Sequence, residues 1–185
     1  MYDNLTVQGK IVLTLSSVII FAGLMVWAAI SDIRHYRLSN RLCLTVLALY
    51  PIHLAAFFID YNTFPLALAG WSIVIALVIF GVCLVFFAMN VMGGGDVKLI
   101  PVVALWAGPA LVLNYLMIMS LTGGLLAALI LAKNKFIASK AAKSSENINF
   151  SMAQMEHTKV PYGVGIALGG LYVAIRLYMS LNGRA

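Results

Sequence analysis

The sequence predicts an all-α polytopic membrane protein with about six transmembrane helices, the fourth of them short, and three observations carry that prediction. Of 185 residues, 63% are hydrophobic and only 10% charged, whereas an ordinary globular chain is about 25% charged. The mean hydropathy is +0.99. Several stretches run roughly 20 residues without a charge, the length that crosses a hydrocarbon core about 30 Å thick. The chain therefore reads as one integral membrane domain over residues 1–185. Its net charge of +6 arises from 12 Lys and Arg against 6 Asp and Glu. In a membrane chain such an excess orients loops and meets anionic lipid, so membrane lipids are expected partners and nucleic acid is not. Cys43 and Cys83 lie in apolar surroundings, too few for a zinc site or a disulfide framework.

The first uncharged run, residues 11–30, is too long for the apolar core of a signal peptide and reads as a first helix. A second span covers 42–59, with Pro51 and His53 inside it, and Asp60 to Thr63 supply a polar turn. The third covers 66–89. Residues 99–132 carry no charge, and as one helix they would reach roughly 51 Å, longer than any bilayer is thick. The chain must fold back there, and Gly108-Pro109 is the best breaker. The fourth helix, from near Asp96, then has about a dozen residues, and either Asp96 or the far turn must sit below headgroup level. The fifth covers 110–132. Residues 133–159 hold five lysines and read as a cytoplasmic loop or surface helix. The sixth covers 161–181, where Gly165 and Gly169 have the spacing that lets helix backbones approach closely.

Six crossings put both termini on one side. Arg34, Arg37, Arg41, Lys98 and the lysine-rich loop fall on the other side, which the positive-inside rule makes cytoplasmic. Asp32 and Asp96 share that face. The other four acids, Asp3, Asp60, Glu146 and Glu156, fall in terminal or loop positions that water reaches. An ionisable group at the edge of an apolar helix is a functional candidate by default. Two carboxyls held close together cannot both ionise cheaply, so one keeps a proton while the other is an anion, a ready acid and base for hydrolysing a peptide bond. No metal or other cofactor is required, and the scattered His35, His53 and His157 form no metal-binding pattern. Competing readings are structural. Asp96 could cap a helix after a flexible glycine turn, and Asp32 could simply end the first helix beside a basic loop.

Asp96 closes the string Met92-Gly93-Gly94-Gly95-Asp96-Val97-Lys98, and Asp32 stands eight residues before Asn40 on a basic loop. Together these strings resemble the type IV prepilin peptidases, membrane aspartic proteases with a GxGD motif. The resemblance implies that Asp32 and Asp96 are catalytic. Gly93 and Gly95 take the motif's glycines, Lys98 the lysine that follows, and Leu38-Ser39-Asn40 the place of Ile-Pro-Asn. Ser39 stands where the family has proline, which bears on the rigidity of that loop. Lys159-Val160-Pro161-Tyr162-Gly163 is similar to the family's last Pro-Tyr-Gly segment. Gly93, Gly94, Gly95, Lys98 and Asn40 are the expected substrate-binding residues, the glycines leaving bare backbone for an extended peptide. By the same resemblance the substrate is a prepilin or pseudopilin with a short basic leader, cut at the cytoplasmic face of the bacterial inner membrane. Lacking the paired CxxC segment of larger members, the chain is similar to the peptidase-only enzymes of tight-adherence pilus systems. A proton-coupled transporter, a noncatalytic subunit of a pilus assembly system and a presenilin-like protease are the rival readings.

Overall fold

The computed structural model describes residues 12–35, 38–63, 65–143 and 162–183. Helix α1 is Val12–His35, with Arg34 in its last turn, where its positive charge complements the helix dipole. Helix α2 is Asn40–Tyr61. Ser39 caps it: its side-chain oxygen accepts the Leu42 N–H at 3.2 Å, which fixes the entry into the helix by hydrogen bonding. The helix runs through Pro51 and stops at Asn62, which is left-handed at φ 51°. Helix α3 is Leu66–Ala88, entered through Pro65.

Helix α4, Asp96–Lys143, is interrupted at Gly108 (φ 60°, ψ −174°), a conformation only glycine adopts without strain. The chain reverses at this point. Tyr115 Oη donates to the Ile100 carbonyl at 3.3 Å, although in a straight helix residues fifteen apart would be separated by about 22 Å. Further along the returning arm, Gly123 and Gly124 share a cavity wall with Asp96. The expected fold-back at Gly108-Pro109 is therefore present, and among the described residues the five helices contain six rods. The descending arm, 96–107, is about 18 Å long and ends beside Ser72 of α3, well inside that helix. The far turn thus lies below the interface. His53, Ser72, Arg176 and Ser180 line a cavity of about 400 Å³ around it, so the broken backbone lodges among polar protein groups, as membrane burial requires. The returning arm stays helical to Lys143, beyond the expected end at 132, which turns the first part of the expected lysine loop into helix. Residues 144–159 of that loop lie outside the described residues.

Helix α5, Tyr162–Asn182, seats its glycines between the returning arm and α1. A Cβ on Gly165 would come within 3.0 Å of the Met119 carbonyl, one on Gly169 within 2.8 Å of the Tyr115 ring, and one on Gly170 within 2.5 Å of Met25 Sδ. Close backbone approach is what these glycines provide. Phe21, Met25, Val46, Val103, Tyr115 and Val173 are fully buried between the rods. Trp106 stacks on Phe21 at 4.4 Å and donates its ring N–H to the Val46 carbonyl at 3.1 Å, whereas Trp27 and Trp71 are exposed. Both cysteines are buried.

One expectation needs correction. Asp60 does not sit in a water-exposed turn: it lies in the last turn of α2 and is only 7% exposed. Its Oδ2 accepts the Thr14 N–H at 2.9 Å and the Thr14 hydroxyl at 2.6 Å. Thr14 is in the first turn of α1, where backbone amides have no partner within the helix, so a carboxylate from the neighbouring helix caps them. One turn deeper, Ser17 and His53 Nδ1 share a hydrogen bond of 2.7 Å.

Candidate active site

The opposite ends of the helices carry the motif residues. Asp32 lies in the last turn of α1, and its side chain is 5% exposed. It is buried by Gly163, the second residue of α5, and its carboxyl lies beside the backbone N–H groups of Gly163 and Val164. A helix N-terminus carries partial positive charge, which favours an anion there. Asp32 Oδ2 is nonetheless buried without a hydrogen-bond partner among the described residues. An orphaned buried carboxylate oxygen is costly, and the backbone N–H groups of Gly163 and Val164 satisfy only part of this carboxyl.

Asp96 is the first residue of α4 and is half-buried. The amides that a capping carboxylate would serve are already satisfied by the glycine turn: Val97 N–H donates to the Gly93 carbonyl at 3.2 Å, and those of Lys98 and Leu99 donate to the Gly95 carbonyl at 3.2 and 3.1 Å. The Asp96 carboxyl accepts no hydrogen bond among the described residues, which leaves it free for a ligand. It faces a cavity of about 230 Å³ whose walls include Ile100, Met119, Gly123, Tyr162 and Ile166. Tyr162 is next in sequence to Gly163. The start of α5 therefore forms the wall beside Asp96 and the lid over Asp32.

The two motif loops are also joined directly. Lys98 Nζ donates to Asn40 Oδ1 at 2.8 Å, and Gly95 packs so tightly on Leu38 that a Cβ there would meet the Leu38 Cβ at 2.9 Å. A Cβ on Gly93 would lie 3.2 Å from Asp96 Oδ2, whereas one on Gly94 would meet only the Phe87 ring, at 3.5 Å. All seven expected site residues thus fall at one end of the molecule. Lys98 and Asn40 face a different side of the descending arm from Asp96. The Pro-Tyr-Gly string pointed to Gly163 without revealing its contact with Asp32. Lys159, Val160 and Pro161 of that string, and Arg37 of the basic loop, lie outside the described residues.

A family model described as the type IV leader peptidase family matches residues 19–128, more than half of the chain and a span that contains both acids and both motif loops. No curated protein and no solved structure matches the chain significantly. The matched span, with the five helices among the described residues that are long and apolar enough to cross a membrane, makes this chain a member of the type IV leader peptidase family, a membrane aspartic protease that acts as a prepilin leader peptidase.

Proposed function

We propose that Asp32 and Asp96 are the catalytic pair and that they cut prepilin or pseudopilin leaders at the cytoplasmic face of the bacterial inner membrane. The observation that carries this reading is the shared environment of the two acids: successive residues at the start of α5 touch one and line the cavity of the other. One carboxylate takes a proton from water as its oxygen attacks the scissile carbonyl carbon. The protonated partner hydrogen-bonds the carbonyl oxygen, and on collapse of the tetrahedral intermediate a proton passes to the leaving nitrogen as the C–N bond breaks. The pair titrates as a unit, and either acid can start as the base. Gly93 and Gly94, exposed beside Asp96, offer bare backbone to an extended substrate. Gly95, Lys98 and Asn40 hold the two loops in register around it.

Cleavage at the membrane edge suits the chemistry, because a peptide bond inside a regular helix is shielded and one in an extended segment before it is not. The test is an in-membrane cleavage assay of Asp32→Asn and Asp96→Asn. Each variant is expected to insert and fold as the parent does and to lose cleavage by at least about 10³-fold, in line with the removal of members of other catalytic groups. Normal processing by either one defeats the assignment.

A further inference from the structure

Helices α2 and α3 follow one another in the chain, yet they do not pack against each other. Both pack on α4, and the descending arm floors the gap between them. Two cavities occupy this gap. The cytoplasmic one, of about 580 Å³, is walled by Leu44 and Leu47 of α2 and by Ile73 and Leu77 of α3. The outer one, of about 400 Å³, lies between the same helices, and Leu105 of the descending arm lines both. From Asn40 at one end to Phe57 at the other, the cleft follows α2 for roughly 26 Å, close to the full thickness of a hydrocarbon core, about 30 Å.

We propose that this cleft receives the apolar transmembrane helix of the substrate and thereby delivers the adjoining leader to the acids; the proposal rests on the peptidase reading. Length selects the occupant. A lipid acyl chain covers one leaflet, about half of that thickness, whereas this cleft crosses both. Its walls are apolar along the cytoplasmic half, and the outer half adds His53, Ser72, Arg176 and Ser180. The cytoplasmic mouth is marked by Lys98 and Asn40, and Asp96 lies two residues away on another side of the same arm. A chain leaving the mouth crosses the exposed backbone of Gly93 and Gly94 to reach Asp96. That is about one helix width, roughly 10 Å, or about three extended residues. The scissile bond would therefore lie within about three residues of the end of the docked helix.

Leu47 and Leu77 are 42% and 63% exposed on facing walls, so enlarging them narrows the cleft without disturbing the core. Two measurements test the docking. Benzoylphenylalanine at position 47 or 77 is expected to photo-crosslink to a membrane-inserted prepilin, and the same probe at Ile19, exposed on α1, is not. The double variant Leu47→Trp/Leu77→Trp is expected to cut that substrate about tenfold more slowly than the parent does, while cutting a soluble leader peptide that lacks the apolar helix at the parental rate. Crosslinks to phospholipid alone, equal crosslinking from position 19, or equal effects of the double variant on both substrates would overturn the docking. If the probes at 47 and 77 crosslink to the prepilin but the parent enzyme cleaves neither substrate, the docking stands and the peptidase reading falls.

Discussion

Gly163 sits over Asp32 so closely that a Cβ at that position would lie 2.7 Å from both Cγ and Oδ2 of the carboxyl. No other side chain fits there without moving the acid or tilting the start of α5. Gly163→Ala is accordingly expected to lower kcat about 10²-fold, the scale of loss that follows from displacing a reacting group by about 1 Å. Insertion and the thermal transition should stay near those of the parent. A variant with parental kcat would mean that the acid is not held by this contact.

The three motif glycines are expected to respond unequally. Gly95→Ala forces a methyl group to within 2.9 Å of the Leu38 Cβ and pries the two loops apart; Gly93→Ala crowds Asp96 Oδ2 at 3.2 Å; Gly94→Ala meets only the edge of Phe87 at ordinary contact distance. Thermal stability of the three alanine variants should therefore rank 94 above 93 above 95, whereas Gly94→Ala, whose methyl group stands on backbone offered to the substrate, should raise KM while leaving the fold intact. The ranking follows from packing distances, since a close-packed site resists even one added methyl. An equal loss at all three positions would point instead to a general need for flexibility.

The hydrogen bond between Lys98 and Asn40 calls for a double-mutant cycle. If the bond acts by holding the loops together, Lys98→Met and Asn40→Ala should each slow cleavage, and the double variant should be no slower than the slower single one. Multiplicative losses would show that the two residues act independently on the substrate.

Asp60 and Thr14 lie at the far end of the bundle, joined by two hydrogen bonds to one carboxylate oxygen. Asp60→Ala leaves the Thr14 N–H and hydroxyl buried without a partner, and is expected to cost about 1–3 kcal/mol of stability. Its kcat, measured below the shifted transition, should match the parent. A selective loss of kcat with no change in the melting temperature would contradict a purely structural role.

The spans, the reversal at Gly108-Pro109 and the candidate acids were legible in the sequence because each depends on local chemistry. Uncharged length crosses a bilayer, proline after glycine breaks a helix, and an acid beside an apolar run stands out by its cost. Asp60 was misread for the same reason: its neighbours in sequence are polar, and only the packing of α1 against α2 shows that it is buried and caps Thr14. The lid that Gly163 forms over Asp32, the bond from Lys98 to Asn40 and the cleft between α2 and α3 were beyond sequence reasoning. Each depends on which helices touch, and among apolar rods in lipid no hydrophobic pattern selects neighbours. Small residues and buried polar contacts make that selection, and they take effect only once the helices have met.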